Sequence, residues 1–173
     1  MSTDVELSAP SAADAGEFIA AARASAALQR PWVSAPDTPE RFAAFLNRAA
    51  REDQASYLIR HRECGGLVGY VNINNIVRGA FRSGHLGYAA FASHAGRGLM
   101  SAGLAAVLSD AFGTLGLHRL EANIQPDNQP SLSLVRRLGF QREGFSPRYL
   151  MIDGQWRDHE RWTVLAEDWA ADG

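Results

Sequence analysis

Hydrophobic positions along the chain recur with two different periods, and each stretch of one period predicts a helix or a strand. Apolar residues spaced by three and four positions predict helices over 11–27, from 39 onward, over 98–115 and over 129–138. Short apolar runs bounded by turn residues predict strands over 5–8, 56–60, 67–73, 85–91, 118–124, 140–145 and 157–165. Strands and helices alternate in the second half of the chain, which indicates an α/β architecture.

The ends of two predicted helices carry residues that favour those ends. Thr38 and Pro39 suit the N-cap and the first position of the second helix. Gly139 suits the position just after the last helix, where a left-handed backbone conformation is common. Between the first two helices, Pro31 and Pro36 predict an irregular loop.

The size and charge of the chain narrow the class of protein. Its 173 residues are 46% hydrophobic, which suits one folded domain over 1–173. The formal charge of -2 gives no whole-chain reason to expect direct nucleic-acid or membrane binding. No apolar stretch is long enough to span a bilayer, and the first residues lack the segments of a signal peptide, so we expect a cytoplasmic protein. Both a monomer and a homodimer fit the sequence.

Cysteine and histidine usage argues against disulfides and metals. Cys64 is the only cysteine, so an intramolecular disulfide cannot form. The histidines show no i, i+4 pair of the metalloprotease kind, and we therefore expect no metal site. They are His61, His85, His94, His118 and His159.

Gly96, Arg97 and Gly98 lie where a predicted strand leads into a helix. A helix N-terminus carries unpaired N–H groups and about half a positive charge, and glycines let an anion approach those groups. The segment is therefore suited to cradle a diphosphate, with Arg97 adding positive charge. No lysine-serine pair follows it as in a P-loop, and Ser101 stands where a dinucleotide fingerprint has its third glycine. On this segment alone, a tight turn that binds nothing is equally consistent.

A second polar segment follows the next predicted strand and opens the next helix. Asn128 suits the N-cap of that helix, and Ser131 lies one turn inside it. In an open α/β sheet, ligands occupy the crevice at the carboxyl ends of the strands, and both segments lie at such an end. Asn128 and Ser131 therefore either face a ligand or are an ordinary cap and a solvent-facing residue. The basic residues Arg136 and Arg137 of the same helix fit a phosphate-bearing ligand or a solvated face equally well.

Taken in order, these segments resemble the successive motifs of the GNAT acetyltransferase superfamily. The motifs are Ala95-Gly96-Arg97-Gly98-Leu99-Met100, Asp127-Asn128 with Ser131, and Leu138-Gly139-Phe140-Gln141-Arg142-Glu143-Gly144. A later segment is similar to the tail of the Rim-type ribosomal-protein alanine N-acetyltransferases, namely Tyr149-Leu150-Met151-Ile152-Asp153-Gly154-Gln155-Trp156-Arg157-Asp158-His159. The resemblance implies a single N-acetyltransferase domain of α/β (α+β) class, with a mixed central sheet flanked by helices on both faces.

The resemblance also implies roles for residues of this chain, with acetyl-CoA as the acetyl donor and no metal. The backbone of Ala90, Phe91 and Ala92 would pair with the pantetheine arm, and Asn128 would bond to it. Ser131 would lie near the thioester sulfur and help the thiolate leave. Many members carry a tyrosine acid later in this helix, but that position is Val135 here. The implied diphosphate loop consists of Ala95, Gly96, Arg97, Gly98, Leu99 and Met100.

The general base is predicted from the few carboxylates near these motifs. Glu121, on the strand that leads to Asn128, is the nearest one, although a surface acid at a strand edge is an equally good interpretation. Some relatives carry an acidic residue where Arg148 stands here, and His85 and His94 are secondary candidates. An α-amine has a pKa near ~8 and a lysine near ~10.4, so a terminal amine needs far less help from a base.

We therefore expect direct acetyl transfer from acetyl-CoA to a primary amine, with the N-terminal α-amine of a protein as the first acceptor hypothesis. A small amine, such as an amino acid, a polyamine or an amine-bearing toxin, is the alternative acceptor. A non-catalytic CoA-binding module is a third hypothesis, because the helix tyrosine is missing and Arg148 replaces an acid.

Overall fold

The computed structural model describes residues 4–171, which form seven strands and six α-helices. The strands are β1 (Val5–Ser8), β2 (Ala55–His61), β3 (Leu67–Val77), β4 (Ser83–Ala90), β5 (Arg119–Ile124), β6 (Gln141–Ile152) and β7 (Gln155–Leu165). The helices are α1 (Ala15–Ala24), α2 (Ala26–Gln29), α3 (Pro39–Ala49), α4 (Leu99–Gly113), α5 (Gln129–Arg137) and α6 (Ala166–Ala171). The domain expected over 1–173 includes residues 1–3 and 172–173, which lie outside the described residues.

The strands form one mixed sheet in the order β1-β2-β3-β4-β5-β7-β6. Among the described strands, β4 and β5 are the one parallel pair, and α4 lies in the connection between them. A parallel pair needs such a crossover because both of its strands run in the same direction. The expected fold class, with a mixed central sheet, is confirmed.

Helices cover both faces of the sheet, because successive strand residues point to opposite sides. On one face, Leu58 and Tyr70 pack with α1 and α3 in an aromatic core, where the rings of Phe18 and Phe42 lie 5.0 Å apart. On the other face, α4 and α5 pack against an aliphatic core. Its buried members include Ile59, Val71, Leu104, Val107, Leu108 and Leu132. The prediction of helices on both faces is confirmed.

The predicted helix ends are confirmed by their hydrogen bonds and dihedral angles. The N–H of Arg41 donates to Thr38 Oγ1 at 3.2 Å, and Pro39 is the first residue of α3. Gly139 follows α5 with a φ of 79°. None of the helices within 4–171 is long and apolar enough to cross a membrane.

The first helix is shorter than the sequence predicts. It ends at Ala24, and α2 begins after Ser25, whose hydroxyl donates to Ala21 O at 2.6 Å. A serine that bonds to the preceding turn competes with the backbone and favours a bend in the helix.

The last two strands form a long hairpin, which is longer than the two strands that the sequence predicted. The strand expected over 140–145 extends to Ile152 and turns back into β7 at Asp153 and Gly154, which have φ angles of 48° and 77°. Positive φ at both central residues suits a two-residue hairpin turn. The strand that was expected to close the sheet, β7, instead lies between β5 and β6 and leaves β6 at the edge.

Candidate active site

The sheet splits between β4 and β5, and the split opens a large cleft. The two strands pair from Ser83 with Arg119 to Leu86 with Ala122. Beyond that point β4 continues to Ala90, while β5 stays paired with β7. The cleft has a volume of about 1510 Å³ and is lined by the carboxyl ends of both strands and by the first turns of α4 and α5. An open α/β sheet binds its ligands in a crevice of this kind.

The backbone of β4 turns part of its hydrogen-bonding edge into the cleft. Phe91 N donates to Val68 O at 2.8 Å, so alternation along the antiparallel pair points the polar groups of Tyr88 and Ala90 away from β3. Ala90 O accepts Gln29 Nε2 at 2.9 Å. The amide of Ala92 donates to Ser25 Oγ at 2.9 Å. The backbone of Ala90, Phe91 and Ala92 was predicted to pair with the pantetheine arm. Of these three residues, Ala90 is the one whose N–H points into the cleft.

The loop before α4 leaves the N-terminus of that helix open. Gly96 and Gly98 have φ angles of 74° and 75°, a left-handed conformation that glycine adopts without strain. Gly98 is the N-cap, and it offers no side chain to the first N–H groups of α4. A Cβ built on either glycine meets no atom within 4 Å, so the space in front of the helix is open.

The six residues of the predicted diphosphate loop do not all face this space. Ala95, Gly96, Gly98 and Met100 line the cleft. The side chain of Leu99 is buried in the aliphatic core on which α4 packs, although its N–H belongs to the open helix end. Arg97 is exposed and forms no hydrogen bond or ion pair with the described residues.

The cleft is basic. Its described lining contains Arg48, Arg51 and Arg137 but no aspartate or glutamate. The ion pair of Arg51 with Asp53 offsets one of these charges. Arg136 lies instead over the ring of Trp162, 5.2 Å from its centroid, so one arginine of the predicted basic pair faces the cleft and the other does not. A cleft of this charge favours an anionic ligand.

Asn128 is both a helix cap and a cleft residue, whereas Ser131 is half-buried and not simply solvent-facing. Asn128 Oδ1 accepts the N–H of Ser131 at 3.3 Å, which makes Asn128 the cap of α5. Both residues also line the cleft. The amide group of Asn128 therefore still has its Nδ2 donor for a ligand.

Tyr88 is a site residue that sequence reasoning missed. Its hydroxyl lies 2.6 Å from Ser131 Oγ, although the two residues are 43 positions apart. Burial raises the pKa of Tyr88 to about 12, so the phenol keeps its proton at neutral pH. The helix position where many relatives carry tyrosine, Val135, is fully buried. A phenol from β4 thus approaches the first turn of α5.

Glu121 lies behind the cleft rather than on its lining. Its carboxylate pairs with Arg119 at 2.8 Å and with His85 Nε2 at 3.2 Å. Arg119 also binds Glu143 at 2.9 Å, which lowers the pKa of Glu143 and joins β5 to the β6–β7 hairpin. His85 lines the cleft, so Glu121 reaches the cleft through that imidazole.

His159 lines the cleft together with His85 and His94, and it lies on β7 next to the ring of Tyr149. Its Nδ1 donates to Arg157 O at 2.9 Å, so the neutral ring has its acceptor at Nε2. Burial lowers the pKa of His159. The imidazole is therefore neutral at physiological pH and able to accept a proton. In the sequence, His159 was noted only as the last residue of the tail motif. Its burial could not be predicted, because it depends on the hairpin.

The chain belongs to the GNAT acetyltransferase family. The family model of the acetyltransferase (GNAT) domain matches residues 4–141, and the split sheet with an open helix end is in keeping with that match. The resemblance expected from the sequence motifs is thereby confirmed.

Individual relatives fall within the group that the tail motif indicated. The chain is 42% identical over 103 residues to the ribosomal protein uS5 alanine N-acetyltransferase of Escherichia coli. That match covers 60% of this chain and 53% of the relative, so the chain spans about half the length of the curated relative.

Solved structures extend the similarity over nearly the whole chain. RimJ of Mycobacterium smegmatis, in complex with CoA-disulfide, has a TM-score of 0.84 and 30% identity, covering 94% of this chain and 82% of RimJ. The spermidine N-acetyltransferase of Vibrio cholerae, in complex with CoA and spermine, has a TM-score of 0.80 and 17% identity, covering 98% of this chain and 99% of that one. The second likeness shows the fold alone.

Proposed function

We propose that this chain transfers an acetyl group from acetyl-CoA to a primary amine. The observation that carries the proposal is the open N-terminus of α4, which presents unpaired N–H groups to a basic cleft. Membership of the GNAT family and the CoA-disulfide bound by the M. smegmatis relative support it. Acetyl-CoA, when bound, supplies the activated thioester.

Several groups of this chain face the cleft and suit the parts of a CoA molecule. The N–H groups of Leu99 and Met100 bind the diphosphate at the positive end of the α4 dipole. The N–H of Ala90 extends the edge of β4 toward the pantetheine arm, in the manner of an added strand. Asn128 Nδ2 donates to the same arm while Oδ1 holds the helix cap.

The Tyr88–Ser131 pair is placed to deliver the proton that the departing sulfur takes. Ser131 Oγ lines the cleft, and the phenol of Tyr88 stands 2.6 Å behind it. Because the pKa of Tyr88 is about 12, the phenol is protonated at neutral pH; it passes its proton to Ser131 Oγ as that hydroxyl protonates the thiolate, and the phenolate regains a proton from solvent in the cleft. A positioned donor of this kind contributes typically about 10²–10⁴-fold to a rate.

The acceptor that fits this cleft best carries one amine, as the N-terminus of a protein does. A polyamine carries several positive charges, and on the described lining it would meet arginines and no carboxylate. At pH 7 roughly a tenth of an α-amine is neutral, against well under about a thousandth of a lysine amine. The similarity to a ribosomal-protein alanine acetyltransferase agrees with an N-terminal alanine as acceptor.

An acceptor panel tests the proposed substrate class. We expect a peptide with a free N-terminal alanine to have a kcat/KM about 100-fold above that of a matched peptide with a blocked N-terminus and a free lysine, following the neutral fractions at pH 7. Spermidine should also be a poor acceptor. Release of the CoA thiol measures each rate. Preference for spermidine or for free amino acids would contradict the peptide acceptor, and CoA binding without turnover on any amine would contradict the enzyme.

The pH profile distinguishes His159 from Glu121 as the general base. If His159 accepts the amine proton, kcat/KM first falls about tenfold per pH unit below about 8 as the acceptor amine is protonated, and His159, with its lowered pKa, adds a second, steeper limb that begins only below the ordinary histidine value of about 6.5. His159→Asn should then reduce kcat/KM by at least about tenfold and remove this acidic limb. Glu121→Gln should leave the limb in place. The opposite pair of results would assign the base to Glu121, as the sequence predicted.

A further inference from the structure

Three potential metal ligands meet beside the loop that leads into α4. His61 ends β2, Cys64 lies in the turn between β2 and β3, and His94 precedes the loop residue Ala95. Cys64 Sγ lies 3.3 Å from His61 Nδ1 and 3.7 Å from His94 Nε2. One ligand atom from each residue falls within 4.8 Å of the other two.

These separations match a tetrahedral site. Zinc binds a thiolate at about 2.3 Å and an imidazole at about 2.0–2.1 Å, which places the sulfur and a nitrogen about 3.6 Å apart. The two observed sulfur–nitrogen distances of 3.3 and 3.7 Å lie on either side of that value. The two nitrogens lie within 4.8 Å of each other, against about 3.3 Å in a tetrahedral site, so the imidazoles would turn toward each other to close the site around an ion.

The surroundings of His94 fix the nitrogen that a metal needs. Its Nδ1 lies 3.1 Å from Leu67 O and 2.9 Å from Ser93 Oγ, and because the carbonyl only accepts, we place the ring proton on Nδ1, which leaves the lone pair of the neutral ring on Nε2, the atom that faces Cys64. A backbone carbonyl on the other ring nitrogen is the usual outer partner of a metal-bound histidine. The ring of His61 stacks on that of His94 with centroids 5.6 Å apart, so both imidazoles lie beside the thiol.

Gly66 makes room for this cluster. A Cβ on Gly66 would lie 3.0 Å from His94 Cε1, so the imidazole would have to shift by a few tenths of an ångström, and 3.4 Å from Cys64 Sγ, which is van der Waals contact. Because Gly66, unlike Gly65, does not have a positive φ, the close approach of the cluster is the reason that the structure shows for a glycine at this position.

We propose that His61, Cys64 and His94 bind one zinc-class transition-metal ion. A thiolate with two imidazoles favours zinc over magnesium or calcium, which prefer oxygen ligands. Binding releases the thiol proton of Cys64 to solvent, and exposure of Cys64 leaves a fourth position for water. We expected no metal site because histidines close together along the chain show no metal-binding spacing. Cys64 and His94 are 30 residues apart and meet only in the fold.

The ion would strengthen the contact between two segments that meet at Cys64 and His94. It would tie the turn between β2 and β3 to His94, two residues before Gly96 of the loop at the cleft. The proposal does not depend on acetyl transfer, because the three side chains belong to this chain and the test below uses metal binding as its readout.

The test is a titration of the metal-free full chain with Zn²⁺ against a chromophoric chelator, with Co²⁺ as a spectroscopic probe. We expect about one zinc per chain and a thiolate-to-cobalt charge-transfer band. Cys64→Ser should abolish the band, and Cys64→Ser and His94→Gln should each weaken zinc binding by at least about tenfold. Mg²⁺ should not compete.

The matched control is His118→Gln, which removes a histidine that pairs with Glu167 away from the cluster. This variant should bind zinc like the unaltered chain. If His94→Gln and the unaltered chain bound zinc equally strongly, His94 would not be a ligand, and the proposal would be overturned. A cobalt spectrum without the charge-transfer band, or no zinc retained by the unaltered chain, would overturn it as well.

Discussion

Gly98→Val is expected to weaken the affinity for acetyl-CoA by about 100-fold, which corresponds to about 2.7 kcal/mol. The new side chain would stand in the open space before α4, where a Cβ meets no atom of the protein within 4 Å. It would therefore block the approach of a diphosphate to N–H groups whose charge-assisted hydrogen bonds are worth about 1.5–3 kcal/mol each. Isothermal titration calorimetry with acetyl-CoA measures the loss.

The control for this variant must carry the same backbone strain at a distant turn. Gly79 has a φ of 74°, its added Cβ would also meet no atom within 4 Å, and it does not line the cleft. Gly79→Val should lose stability like Gly98→Val, since a β-branched residue is strained at positive φ, but it should keep its acetyl-CoA affinity. Equal affinities in the two variants would show that the loop before α4 does not hold the diphosphate.

The sequence predicted those parts of the fold that depend on neighbouring residues. The cap at Thr38, the glycine after α5 and the strand-to-helix junction at Gly96 and Gly98 are all local, and the structure has them where the pattern indicated. The length of the β6–β7 hairpin was missed, although Asp153 and Gly154 are residues that favour such a turn. The β6 side of the hairpin is mostly exposed, so it lacks the continuous apolar run by which buried strands were identified.

The parts of the site that were missed depend on contacts between distant segments. Tyr88 belongs to the alternation of an ordinary strand, and its partner Ser131 comes from a helix that follows the next strand. The buried state of His159 follows from the position of β7 between β5 and β6, which the order of elements along the chain did not predict. For Glu121 the residue type suggested a base, while the fold surrounds it with Arg119 and His85.

Tyr88→Phe and Ser131→Ala are each expected to lower kcat by about 100-fold while changing KM for acetyl-CoA little. Both variants interrupt the same hydrogen-bonded pair, whose oxygens lie 2.6 Å apart, and neither removes a group of the open helix end. Steady-state rates of thiol release with a saturating acceptor give the two constants. Loss of affinity with an unchanged kcat would instead make the pair a binding contact.

The matched control is Tyr57→Phe, which removes another half-buried phenol that has a hydrogen bond, to Asp110 Oδ2 at 2.7 Å, but lies off the cleft lining. Its kcat should remain within about twofold of the unaltered chain, because only the fold loses a hydrogen bond of about 1 kcal/mol.

The double variant of Tyr88 and Ser131 decides how the pair works. If the phenol acts by passing its proton to the serine hydroxyl, either substitution removes the same function. The kcat of the double variant should then fall by about 100-fold, whereas two independent residues would lower it by roughly 10⁴-fold. A full product of the two effects would show that each hydroxyl meets the substrate separately.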